Sequence, residues 1–160
     1  MFIVEDAKGN QLLDLYTGDE FEIINNPEYR PLTSSLVIVK GPQGFMLLKN
    51  KYRGEWELAG GMFDEGETPR ECAVRECLEE SGYEITGLRF VGMMKFFLRP
   101  SFHLPEERIE YTTLYCVDID DIQKFEQTEE MTDLCWYNIG DKIENASGID
   151  IKLFEYYRAH

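Results

Sequence analysis

At 160 residues, 43% hydrophobic and 13% aromatic, the chain is close to the modal size of one domain and apolar enough to bury one core, which excludes a disordered or low-complexity polypeptide. With 31 Asp plus Glu against 16 Lys plus Arg, the formal net charge is −15; this excludes long nucleic acids and anionic membrane surfaces as partners, but not a small phosphorylated metabolite, because a bound cation reverses the sign of a site. No apolar run reaches the roughly 20 residues needed to span a bilayer, residues 1–6 lack a basic start, and Cys72, Cys77, Cys116 and Cys135 show no Cys-x-x-Cys spacing, so a soluble cytoplasmic protein with reduced thiols is expected.

Residues 1–32 read as a β extension. Within it, residues 2–6 and 11–16 flank the turn-forming Ala7, Lys8, Gly9 and Asn10 as a hairpin, and residues 21–24 are expected as a third strand. Residues 33–160 form the main domain. Residues 34–40 and 45–49 are apolar runs joined by Gly41, Pro42, Gln43 and Gly44, a second hairpin, and residues 55–58 form a strand feeding a turn at Ala59, Gly60 and Gly61. A helix should start at Thr68, because Thr68-x-x-Glu71 is a capping box with Pro69 at the first helical position, and stop at Ser81-Gly82. Ala73, Val74, Cys77 and Leu78 fall on its apolar face, with Glu76, Glu79 and Glu80 opposite. Residues 88–98 and 109–119 are long strands, residues 134–138 a short one around Trp136, and residues 149–158 a closing amphipathic helix. Strands mixed with two helices suggest a sheet packed between them.

The chemistry concentrates in the first of these helices. Three- and four-residue spacings make Glu76, Glu79 and Glu80 neighbours, and Asp64, Glu65 and Glu67 add charge just upstream. Arg75 sits among these acids within reach of Glu71 or Glu79. Such a group of hard oxygen ligands, with few competing cations, suits Mg²⁺ or Mn²⁺. An EF-hand is rejected: Asp118, Asp120 and Glu129 have the first, third and twelfth spacings, but Ile122 and Gln123 occupy the fifth ligand and glycine positions.

From Gly61, five residues lead to Glu67, seven more lead to Arg75-Glu76, and Cys77, Leu78, Glu79, Glu80, Ser81, Gly82 and Tyr83 complete the run. This resembles the Nudix box. Every fixed position matches, with Cys77 and Tyr83 in slots that are usually aliphatic. The resemblance implies an α/β fold, the Nudix-type α/β/α sandwich with a mixed β-sheet between helices, here with an N-terminal β-hairpin extension. It further implies a hydrolase, dependent on Mg²⁺ or Mn²⁺, that cleaves the pyrophosphate bond of a nucleoside diphosphate linked to another moiety, such as a nucleoside triphosphate or a nucleotide sugar like ADP-ribose.

On this reading the metal is held by Glu76, Glu79, Glu80 and the carbonyl of Gly60, while Arg75 orients the carboxylates through a bidentate contact. The general base is a box glutamate, Glu79 or Glu80, or a carboxylate from residues 120–132, where Glu130 is preferred over Glu126 and Glu129. Substrate contacts fall to Arg53 and Arg99, with Lys49 and Lys51 behind them, and to the loop of residues 99–108, whose Phe102 is placed to stack on a base, as is Phe97 at the strand end. His103 and His160 receive no role. Some relatives build a homodimer from an N-terminal β extension, so that state stays open. Two other readings remain: a catalytically silent nucleotide-binding sensor, opposed by the intact glutamates, and an isoprenoid-diphosphate isomerase, which needs metal-binding histidines that the chain scarcely offers. Residues 57–62 resemble both triphosphate- and nucleotide-sugar-specific members and do not choose between them.

Overall fold

The structure, a computed structural model, describes residues 1–102 and 104–159. Strands β1 (Val4–Glu5) and β2 (Gln11–Tyr16) form the expected N-terminal hairpin. The Asp6 carboxylate closes its turn by accepting the Lys8 and Asn10 N–H groups at 2.9 Å each. The third strand expected over residues 21–24 is instead a short helix, α1 (Glu20–Ile24). Asp19 caps it by accepting the Glu22 N–H at 3.0 Å, and this local bond overrides the β character of Ile23 and Ile24.

Beyond it run β3 (Leu32–Gly41), β4 (Gly44–Asn50), β5 (Trp56–Glu57), β6 (Ala59–Met62), α2 (Pro69–Ser81), β7 (Arg89–Leu98), β8 (Arg108–Asp118), β9 (Met131–Tyr137) and α3 (Gly148–Leu153). A 3-10 turn over Phe154–Tyr156 ends the α3 region, so the closing helix is shorter than its periodicity suggested. Leu153 and Phe154 nevertheless stay fully buried.

The sheet is mixed, ordered β1-β2-β7-β8-β3-β4-β5, with β6 on β3 and β9 on β4. Only β3 and β8 pair in parallel among its named strands. β3 and β4 pair only at Lys40 with Phe45 and Gly41 with Gly44, then separate. β6 takes the edge of β3 that β4 leaves, while β4 goes on between β5 and β9.

Side-chain alternation assigns the two faces. Val37, Val39, Met46, Leu48, Tyr115 and Val117 pack with Ala73 and Cys77 of α2, while Ile38, Phe45, Leu47, Leu114 and Cys116 pack with Ile149, Leu153 and Phe154 around α3. Both faces are buried, which explains why these strands read as near-continuous apolar runs. α1 joins the α2 face, where Glu20 takes an ion pair from Arg70 at 2.6 Å and accepts the Tyr115 hydroxyl at 2.8 Å. The cysteines are free, and among the described residues no helix is long and apolar enough to cross a membrane.

Two sequence expectations are corrected in this region. Ala59-Gly60-Gly61 is a strand and not a turn; a Cβ at Gly60 would lie 2.3 Å from the Ser35 carbonyl oxygen, so glycine here permits close approach to β3. Helix α2 starts with the expected capping box and ends at Gly82 in the left-handed conformation, but its faces differ from the pattern. Leu78 is 47% exposed and Glu80 is 5% exposed.

The segment ahead of α3 is tied to the strand pair that leads into β6. Trp56 N–H donates to Asn145 O at 2.8 Å, and Leu58 N–H donates to the Asp150 carboxylate at 2.8 Å. Burial pushes the Asp150 carboxyl up to about 7, against the pull of the Leu58 N–H. The folded state therefore retains a proton that the unfolded chain loses near pH 4. Its contribution is present below that value and is lost as pH rises through about 7. Asp150→Asn, a neutral isostere, should flatten the fall of the thermal midpoint between pH 4 and 7 without lowering it at pH 4. Gly60→Ala should destabilise the fold by about 1–3 kcal/mol in denaturant unfolding, as overpacking does.

Candidate active site

Helix α2 lies on one side of the sheet, yet two of its carboxylates reach a cleft that opens beside β6. Two glycines make this passage. A Cβ at Gly61 would sit 2.6 Å from the Glu76 carboxyl carbon, and the Gly60 N–H donates to Glu80 Oε1 at 2.8 Å. The cleft, about 810 Å³, is lined at this end by Gly60, Gly61, Glu76, Glu80, Glu57, Arg53 and Glu130.

Arg75 governs the acids around the helix. Its guanidinium makes two parallel bonds to Glu67, Nε to Oε2 at 2.7 Å and Nη2 to Oε1 at 2.9 Å. It also reaches Glu76 at 2.7 Å, Glu79 at 3.1 Å, Asp64 at 3.1 Å and the Met62 carbonyl at 3.0 Å. Of the two partners expected for Arg75, Glu79 is engaged, whereas Glu71 turns back to the Thr68 N–H in the capping box. The bidentate bond holds the Glu67 carboxyl down at about 2.

Glu76 and Glu80 move the other way. Burial raises Glu76 despite its bond to Arg75, and burial pushes Glu80 up to about 9, aided by the charges of Glu76 and Glu130 and opposed by the Gly60 N–H. Carboxylates so placed favour the uptake of a proton or a cation. Their hard oxygens, with a glycine backbone open beside them, fit a divalent ion. Among the described residues no three such side chains are closed into a ready-made cage, because Glu79 points outward at 58% exposure onto Arg75.

The remaining expected residues divide. Arg53 lines the cleft and grips Glu57 through Nε at 2.8 Å and Nη2 at 2.7 Å, and Glu130 faces it from the turn before β9, its backbone carbonyl accepting the Lys51 N–H at 2.7 Å. Arg99 and Phe102 do not line the cleft: Arg99 pairs with Glu107, and Phe102 is 97% exposed. Phe96, not Phe97, faces the cleft, as alternation along β7 requires. Lys49 and Lys51 lie over the rings of Trp56 and Tyr52, away from it. His103 and His160 lie outside the described residues.

Several lining residues carry no motif. Asp150, Arg108, Glu110 and Thr112 line the cleft, as do Asp6, Lys8 and Asn10 of the N-terminal hairpin, with Lys8 paired to Glu55 at 3.0 Å. The available signal was the alternation of Arg108, Glu110 and Thr112 ahead of Leu114 and Cys116, a polar run on a face otherwise apolar.

The profile of the NUDIX domain matches residues 30–157. The uncharacterized Nudix hydrolase YvcI of Bacillus subtilis is 29% identical over 96 residues, which cover 60% of this chain and 59% of that protein. The oxidized purine nucleoside triphosphate hydrolase of Mus musculus is 42% identical over 65 residues, covering 39% of this chain and 42% of that one. The chain thus spans about half the length of these curated relatives. In fold it resembles the crystal structure of the Bacillus subtilis pyrophosphohydrolase BsRppH, with a TM-score of 0.64, 22% identity and coverage of 91% of this chain and 81% of that one. A profile matched over most of the chain, on a fold in which Arg75 organises the acids of the matching helix, establishes that this protein belongs to the NUDIX domain family.

Proposed function

We propose that the protein is a divalent-metal-dependent pyrophosphohydrolase acting on a nucleoside diphosphate linked to another moiety, with a nucleoside triphosphate as the first class to test. The observation that carries this reading is a pair of carboxylates, Glu76 half-buried and Glu80 buried, gathered at the glycine edge of β6 with raised proton affinity. An inert surface acid has no reason to be so placed. The relative that hydrolyses oxidized purine nucleoside triphosphates supports the choice of substrate class.

A pyrophosphate resists water because its anionic oxygens repel a nucleophile and its leaving group is poor. Glu76, Glu80 and the Gly60 carbonyl would hold Mg²⁺ or Mn²⁺, with Glu79 joining by leaving Arg75. Such an ion, when bound, neutralises phosphate charge and lowers the pKa of an adjacent water. Arg75 fixes the carboxylates by holding Glu76 and Glu79 with one nitrogen and Glu67 with its other edge. Glu130, across the cleft, is the proposed general base that takes the proton of the attacking water. Arg53 offers its charge to a phosphate oxygen once it turns from Glu57. The free, largely buried cysteines agree with a reducing, cytoplasmic setting. The intact set of box acids weighs against the silent sensor.

The deciding experiment measures phosphate and pyrophosphate release from nucleoside triphosphates, ADP-ribose, sugar nucleotides and dinucleotides. Turnover of one class should vanish with EDTA and return with Mg²⁺ or Mn²⁺. Glu80→Gln should lower kcat/KM about 100-fold or more, as loss of a metal ligand does. Mg²⁺ should raise the thermal midpoint of the wild type and not of Glu80→Gln. Arg75→Lys should lower kcat/KM about 10- to 100-fold through misplaced carboxylates. Absence of metal-dependent turnover across the panel, with nucleotide binding intact, would leave the sensor as the better reading.

A further inference from the structure

On the face of the sheet that α2 covers, two hydroxyls stand among apolar neighbours. Ser35 of β3 and Thr113 of β8 are paired residues, both 0% exposed, next to Val37 and Tyr115 on the same face. Ser35 Oγ lies 2.7 Å from the Pro69 carbonyl oxygen and 2.6 Å from Thr113 Oγ1. A carbonyl only accepts, so the one Ser35 hydroxyl hydrogen goes to Pro69, and Thr113 donates to Ser35. The result is a directed relay from β8 through β3 to the first residue of α2.

Stability does not call for this relay. Apolar side chains of the same shape in place of a buried hydroxyl pair are close to neutral. Apolar contact is non-directional, however, whereas a hydrogen bond fixes the point at which α2 meets β3. Pro69 and Glu76 are seven residues apart, which puts them within about 20° of the same helix face and about 10 Å apart along the axis. A displacement of the helix at Pro69 is carried along that face to Glu76 and Glu80.

Ser35 also holds the other half of the site. Its backbone pairs with Gly61 of β6, and its carbonyl oxygen is the atom that a Cβ at Gly60 would meet at 2.3 Å. The residue touches β6 through its main chain and α2 through its side chain. At the cleft the same two elements meet again, where the Gly60 N–H donates to Glu80 Oε1 at 2.8 Å.

We infer that Ser35, oriented by Thr113, is a positioning residue for the metal site: it sets the Gly60 carbonyl on β6 against the Glu76 and Glu80 carboxylates on α2. This rests on the pyrophosphohydrolase reading and adds to it the side chains that fix its two groups of ligands relative to each other.

The test measures Mn²⁺ affinity of the full chain by electron paramagnetic resonance, without nucleotide, and follows the site that Glu80→Gln abolishes. Ser35→Ala should weaken that site about 10- to 100-fold, the range for removing a group that orients metal ligands, while the thermal midpoint in EDTA stays within about 5 °C of wild type. Thr113→Val keeps the shape and removes the hydroxyl; Thr113→Ser keeps the hydroxyl and removes a methyl. The first should weaken Mn²⁺ about fivefold, the worth of one hydrogen bond, and the second should stay within about twofold of wild type. The Thr113 pair decides if Ser35→Ala loses more thermal stability than this or gives no folded circular dichroism spectrum. Unchanged Mn²⁺ affinity in a folded Ser35→Ala, or a loss in Thr113→Ser equal to that in Thr113→Val, overturns this inference alone. Mn²⁺ binding that Glu80→Gln leaves unchanged, or no binding by wild type, overturns the proposed metal site with it.

Discussion

One guanidinium holds the acidic side of this protein together. Arg75 contacts Asp64, Glu67, Glu76 and Glu79 within 3.1 Å. Two unit charges 4 Å apart interact by about 4 kcal/mol at an effective dielectric of 20, so carboxylates crowded this closely would drive the loop and helix apart without a shared cation. The loop before α2 depends on the same group, because Met62 O and both Glu67 oxygens bind it while Glu67 in turn accepts the Asp64 N–H. The position of Glu76 at the cleft is therefore fixed by a guanidinium that does not itself line the cleft.

What could be read in the sequence was what is encoded locally. The capping box, Pro69 and Gly82 set the ends of α2 within a few residues, and the spacing from Gly61 to Tyr83 identified the acids. The apolar and β-rich runs of β3, β4 and β8 read as strands, and their mixture with two helical segments suggested a sheet packed between helices. What failed was decided by tertiary packing. Gly60 and Gly61 look like a turn in one dimension and are a strand because β3 passes too close for a Cβ. Glu80 follows the polar pattern of its helix and is buried because the Gly60 N–H on the open edge of β6 needs an acceptor. Residues 21–24 have strand composition, but the Asp19 cap fixes a helix.

The site is similarly divided in legibility. Glu76, Glu80, Arg53 and Glu130 are brought to one cleft, while Phe102 and Arg99 stand away from it and Leu104 lines it. Arg108, Glu110, Asp150 and the hairpin residues were invisible because they share no spacing with the box; only the sheet register aligns them. On the proposed reading, a bound cation is what would reconcile the net charge of −15 with an anionic ligand. Lys8, Arg53 and Arg108 each hold a neighbouring acid, yet nine acids against three bases leave the cleft lining negative.

The early parting of β3 and β4 has a consequence for how such a protein diversifies. Because the two strands share only two paired positions before diverging, β6 enters the fork beside β3, and the carboxylates of α2 emerge along it. On the proposed reading the metal-binding end is therefore built on paired strands, while the opposite end is walled by a hairpin and by one end of β8. On that reading, substitutions at the opposite end would change ligand preference while leaving Glu76 and Glu80 in place, so selectivity and reactivity would be separable under evolution.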